Sequence, residues 1–119
     1  MLTSLGKYLR MFRIQQNELL KDMADKLTVT SAYLSSVENG KREPTRKLVD
    51  TIVRKYNLQG KDMQELYTAY YETVNEVTVN IDKASDSKKM LGIAFARKFD
   101  SLNQKQIDNI FKILDRGKN

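Results

Sequence analysis

Between Leu20 and Gly40 the chain sets two short apolar stripes of helical period on either side of a tight gap. Leu20, Met23, Ala24 and Leu27 fall at i, i+3, i+4 and i+7, one face of a helix. After Thr28 and Val29 another short helix is expected, with Thr30 as N-cap and Leu34 and Val37 facing inward. Asn39-Gly40 ends it, since both residues tolerate the left-handed backbone of a helix exit. A helix ahead of this pair is marked by Leu5, Leu9 and Phe12, with Tyr8 beside them and Thr3 or Ser4 to cap it. Behind the pair, Pro44-Thr45 opens a fourth helix to about Tyr56, carrying Leu48, Val49, Ile52 and Val53 inward. Gly60 breaks the chain, and a fifth helix from about Lys61 to Asn75 buries Met63, Leu66, Tyr67, Tyr70 and Val74.

The pattern changes at residue 76. Glu76-Val77-Thr78-Val79-Asn80-Ile81 alternates in period two and is rich in β-branched residues, which predicts a short strand over 76–81. A lone strand in a helical chain needs a partner for its backbone groups. Two readings are open: the same strand of a second copy, paired antiparallel across a two-fold axis, or an extended linker. Beyond it one helix, from about Ala84, carries Met90, Leu91, Ala94, Phe95 and Phe99. Another, from near Asn103 to Gly117, carries Ile107, Ile110, Phe111 and Leu114. Joined by Asp100-Ser101-Leu102 they form a helical hairpin too small to stand alone. The fold class is therefore all-α, with a five-helix domain over 1–75 and a strand plus hairpin for dimerisation over 76–119.

Composition narrows the chemistry. The chain has 119 residues, one proline and five glycines, with 40% hydrophobic and 30% charged residues, as a helical protein should. With no His and no Cys, the commonest general base, metal ligand and nucleophile are missing, so neither an enzyme nor a metal or other cofactor is expected. No apolar run could span a membrane, and Met1 to Arg13 does not read as a signal peptide; a cytoplasmic location is expected. The net charge is +6, and residues 1–60 hold eleven Lys and Arg against six Asp and Glu. A basic first half facing a near-neutral second half suits a polyanion at one end and a protein surface at the other.

Three short helices, a tight turn between the second and third, and basic residues just past the third make the helix-turn-helix layout. From Leu5 to about Leu58 the chain resembles the lambda-repressor and Cro type of DNA-binding domain, the XRE-like regulators. The resemblance rests on Leu9-Arg10, Arg13, Met23-Ala24, Leu27, Val29-Thr30 and Tyr33-Leu34-Ser35, and above all on Val37-Glu38-Asn39-Gly40-Lys41-Arg42-Glu43-Pro44. It implies base reading by Ser31, Ala32, Tyr33 and Ser36, with Thr30, Asn39, Lys41 and Arg42 on phosphates. It also implies that Arg13 and Glu38 bridge the first and third helices as a scaffold pair. Leu19-Leu20 departs from the family's usual Ser-Gln or Thr-Gln start of the second helix, leaving Asn17 as the expected substitute cap. Thr28 replaces the frequent turn glycine, so a positive φ there would be strained. Ser31, Ala32 and Ser36 lack the Arg, Gln and Asn forks of strong bidentate readout.

The function expected is a sequence-specific repressor or autoregulator of the phage or mobile-element kind. It would bind double-stranded DNA at an inverted-repeat operator as a homodimer, with Val77, Val79, Ile81, Phe95 and Phe111 in the dimer interface. The rival is an inhibitor or adaptor whose residues 76–119 grip a second protein. Tyr67, Tyr70 and Tyr71 read as packing residues rather than a stacking ladder for single strands, and Lys88-Lys89 and Arg97-Lys98 as solvated helix faces.

Overall fold

The computed structural model describes residues 1–116, so the helix stop expected at Gly117 lies outside the described residues. Among those residues it is helical, with no strand, and it divides into two compact units, Met1–Val77 and the chain from Thr78 on.

The first unit contains α1 (Ser4–Gln16), α2 (Leu20–Leu27), α3 (Ser31–Glu38), α4 (Arg46–Lys55) and α5 (Gly60–Val74). Short polar side chains mark where three of these begin. Thr3, Thr30 and Thr45 have extended backbones, and each hydroxyl accepts the N–H three residues on: Gly6 at 3.0 Å, Tyr33 at 3.0 Å and Leu48 at 3.1 Å. Each such cap contributes about 1 kcal/mol. The entry to α2 corrects the expectation that Asn17 caps it. Asn17 closes α1 with a left-handed backbone, φ 57°, while Leu19 occupies the N-cap position and its N–H donates to Asp22 Oδ2 at 2.8 Å. A leucine has no acceptor, so the carboxylate reaching back from the first turn supplies the half of the capping arrangement that the sequence permits.

The helices close around Leu5, Leu9, Met23, Leu34, Val37, Val49, Ile52 and Leu66, all fully buried. Ala24 joins them at 1% exposure, the small side chain expected on the inner face of α2. α1 packs on α5 and α3, α2 on α3 and α4, and α4 on α5, so α3 is held from two sides. α5 is locked to the start of α1 by the Leu5 N–H donating to Thr73 Oγ1 at 2.9 Å. Tyr67 and Tyr70 pack partly buried against the core, and the Arg46 guanidinium lies 5.1 Å over the Tyr67 ring.

In the second unit, α6 (Asp86–Lys98) leads through a 3-10 turn (Phe99–Ser101) into α7 (Gln104–Arg116). α6 starts at Asp86, two residues beyond the expected Ala84, because Ser85 caps it: its hydroxyl accepts the Lys88 N–H at 3.2 Å. At α7, Asn103 Oδ1 accepts the Gln106 N–H at 2.9 Å and Gln106 Oε1 accepts the Asn103 N–H at 3.0 Å. Residues 76–81 form no strand: a single chain offers no second edge for their N–H and C=O groups. The apolar seam expected between the last two helices likewise stays open. None of the described residues there is fully buried, and Leu91, Phe99 and Leu114 are each more than half exposed. Two helices and a tail enclose too little volume to cover their own apolar faces. No helix among the described residues is long and apolar enough to cross a membrane.

Candidate nucleic-acid interface

The turn between α2 and α3 is three residues long. Thr28 ends α2 with φ 60° and ψ 42°, the left-handed backbone expected to strain a β-branched residue. The turn is held by the Val29 N–H on the Ala24 carbonyl at 3.0 Å, with the Val29 side chain against the core. Thr30 then caps α3 through the oxygen that faces the Tyr33 N–H, so this hydroxyl is already an acceptor within the helix. The eight residues of α3 rise about 12 Å, comparable to the roughly 12 Å width of a major groove.

Leu34, Val37 and Glu38 point inward and fix which face of α3 looks out. Ala32 is exposed, Ser31, Ser35 and Ser36 are half-buried, and the outward surface is therefore small and uncharged. Ser36 Oγ donates to the Tyr33 carbonyl at 2.7 Å, leaving its oxygen lone pairs as acceptors. Tyr33 is not simply outward. Its ring is half-buried on the core surface, and the Arg42 guanidinium sits 5.6 Å over it. Ser31, Ala32 and Ser36 thus share the helix with a tyrosine whose ring is already engaged on one side.

Past α3 the chain folds back tightly. The Lys41 and Arg42 N–H groups both donate to the Ser36 carbonyl, at 2.9 and 3.1 Å, and Gly40 turns with φ 77°. This pins two exposed cations at the end of α3. Asn39 caps the same helix end. Its Nδ2 donates to the Ser35 carbonyl at 2.9 Å, closing the last turn of its own helix.

Beneath this surface Arg13 and Glu38 come together, at 6% and 2% exposure. Arg13 Nη2 donates to Glu38 Oε1 at 3.0 Å, Arg13 Nη1 donates to Glu38 Oε2, and Arg13 Nη1 also lies 3.5 Å from Met23 Sδ. One guanidinium therefore ties α1, α2 and the end of α3 together. The Glu38 carbonyl is held as well, accepting the Thr3 N–H at 3.0 Å and the Thr3 hydroxyl at 3.3 Å. Gly6, to which the sequence reading assigned no role, makes this approach feasible: a Cβ there would stand 2.2 Å from the Glu38 carbonyl oxygen. Its signal was present, because a glycine inside a helical pattern commonly has a packing reason.

Glu18 forms a second anchor, between α1 and α2. Tyr56 OH donates to its Oε1 at 2.6 Å and Lys26 Nζ pairs with its Oε2. Burial alone would raise this carboxyl, but the hydrogen bonds from Lys26 and Tyr56 outweigh it and hold the pKa below the ordinary carboxylate value. Burial, then the adjacent Glu18 carboxylate, pushes the Tyr56 phenol well above its usual range.

A short capped helix presented on a rigid three-helix frame, with cations fixed at its end, defines a helix-turn-helix DNA-binding domain. Residues 4–66, just over half of the chain, match the model of the family described as Helix-turn-helix domain, and the chain belongs to that family. No curated protein and no solved structure matches it.

Proposed function

We propose that this chain is a sequence-specific transcriptional repressor or autoregulator, acting without catalysis in the bacterial cytoplasm, of the kind carried by phages and mobile elements. The observation that carries the reading is α3: its outward face is uncharged and sterically small, while Lys41 and Arg42 are fixed at its end by the Ser36 carbonyl. Ser31, Ala32 and Ser36 face base edges, through hydroxyl contacts and packing of the Ala32 methyl on a thymine methyl. Tyr33 reads with its free edge while its ring steadies Arg42. Thr30, Asn39, Lys41 and Arg42 lie against phosphates, and DNA shape supplies the discrimination that bidentate forks would otherwise give.

The five-helix domain over 1–75 binds the half-site, and residues 76–119 make the dimer. Two copies pair strands 76–81 through a shared ladder and cover Val77, Val79, Ile81, Phe95 and Phe111, of which Val77 and Val79 are 69% and 74% exposed in the single chain. Such a dimer sets its recognition helices about 34–36 Å apart, on an inverted repeat. Selection from random duplexes at about 150 mM salt tests this, since screening there is near physiological. An inverted repeat should be enriched, and Lys41→Ala with Arg42→Ala should abolish its retention. Sequence-independent retention alone would refute operator reading. For the interface, Val79→Pro removes a ladder donor and should lower both dimer mass in light scattering and operator affinity.

The same exposed apolar surface favours one second reading, in which the C-terminal unit grips another protein and the first unit serves autoregulation. A chain that stays monomeric at micromolar concentration and still binds single half-sites would support it.

A further inference from the structure

α4 carries a cationic stripe that the recognition helix does not account for. Lys47, Thr51, Arg54 and Lys55 stand at i, i+4, i+7 and i+8, one outward face of the helix. They line one wall of an open groove of about 480 Å³ whose other wall is the turn, Thr28 and Val29, with Tyr33 at the start of α3. The groove therefore lies beside the end of the recognition helix that enters deepest into a major groove. Arg42, over the Tyr33 ring, continues the same positive edge.

No carboxylate among the described residues neutralises this stripe. Arg13, Lys26, Arg46 and Lys61 of the first unit have carboxylate partners, Arg46 through Asp50 on the side of α4 turned to Tyr67. Lys47, Arg54 and Lys55 are exposed and make no ion pair among the described residues. Three unpaired like charges on one face repel each other, and a polyanion relieves that repulsion. The Thr51 hydroxyl donates to the Lys47 carbonyl at 2.8 Å, so toward the groove it offers only an acceptor, and on this face of α4 the donors for an anion are Lys47, Arg54 and Lys55. From Lys47 to Lys55 the helix rises about 12 Å, the axial length of three to four phosphates of one DNA strand at about 3.4 Å each.

We infer that Lys47, Arg54 and Lys55 form a second phosphate-binding rail, gripping one strand of the duplex alongside α3 and extending the contact beyond Lys41 and Arg42. This rests on the DNA-binding reading above. The rail positions the helix and raises affinity for every sequence equally, because phosphate contacts carry no base information.

The test uses the full chain, a labelled 30-base-pair duplex recovered by the random selection, and fluorescence anisotropy across a salt series. Each lost phosphate contact removes about 0.9 from the slope of log K against log salt. The triple variant Lys47→Ala, Arg54→Ala, Lys55→Ala removes three contacts per half-site and so should flatten the slope by about five for the dimer on its inverted repeat, and weaken binding at 150 mM at least a hundredfold. Preference for the selected sequence over a scrambled one should stay unchanged. A control variant, Lys88→Ala, Lys98→Ala, Lys105→Ala, removes the same net charge from the second unit; the three positions are exposed there. Equal weakening in the control and the α4 variant overturns the rail, since net charge alone would then explain the loss. A steep slope and full affinity retained by the α4 variant also overturn it, while leaving DNA binding by α3 intact. A wild-type chain with no salt-dependent binding overturns both readings. Matching thermal melts of the two variants and wild type confirm that the exposed substitutions leave the fold in place.

Discussion

Removing Glu38 while leaving Arg13 in place should be the most damaging single change in the DNA-binding unit. Arg13 is 6% exposed, and its guanidinium has Glu38 as its carboxylate partner and Met23 Sδ as its other close polar neighbour. Glu38→Ala therefore strands a buried cation. Two charge-assisted hydrogen bonds are lost, each contributing about 1.5–3 kcal/mol. That sum agrees with the roughly 3–5 kcal/mol observed when one partner of a buried pair is removed. Against a total stability of about 5–15 kcal/mol for an ordinary domain, that loss takes from about a fifth to all of the stability of the unit. The converse follows from the same physics: Arg13→Met with Glu38→Leu removes both charges and should cost much less than the two single changes added together. A double-mutant cycle by urea denaturation, read through helical circular dichroism, measures this directly. If Glu38→Ala cost under 1 kcal/mol and the cycle showed no coupling, the pair would not hold α1 to α3 and would have no scaffold role.

Three further outcomes follow from the geometry. Gly6→Ala puts a methyl 2.2 Å from the Glu38 carbonyl oxygen, so α1 and α3 must part by about 1 Å to restore contact, costing about 1–3 kcal/mol; an unchanged melting temperature would show that the helices slide freely. Thr28→Gly relieves a β-branched residue at φ 60°, a strain of about 1–2 kcal/mol, against about 0.4–1 kcal/mol of added unfolded-state freedom. It should raise the melting temperature by a few degrees, and a fall would contradict the strain assignment. Glu18 has its carboxyl pKa lowered in the folded chain, so its stabilisation is present above the unfolded value near 4.3 and disappears as pH falls through the folded value. Glu18→Gln should therefore lower stability at neutral pH and reduce the acid-side loss; identical acid profiles for the two chains would contradict the linkage.

Periodicity and capping chemistry made most of the first unit legible in advance. Stripes such as Met23, Ala24 and Leu27 depend only on 3.6-residue spacing, and Thr30 and Thr45 cap through atoms three residues away. The Arg13 and Glu38 pair, 25 positions apart, was legible only through family resemblance. Asn17 is ambiguous in the sequence because two local roles suit an asparagine, cap acceptor and left-handed exit. The choice between them turned on the direction in which the chain leaves α1. Alternation over 76–81 leaves a paired strand and an extended linker both open, because it specifies a face and not a partner, and a single chain provides none.

By itself the sequence determined what short-range physics can determine: helix period, cap positions, and a strong basic bias in one half. Tertiary structure alone decided which groups are forced together across long separations. Only packing reveals that Gly6 must have no side chain, that the ring of Tyr33 is shared with Arg42, and that Lys47, Arg54 and Lys55 share an unpaired face beside α3. The reason is one of range. A turn of helix correlates residues three or four apart, whereas the distance between two helices is set by every side chain between them at once.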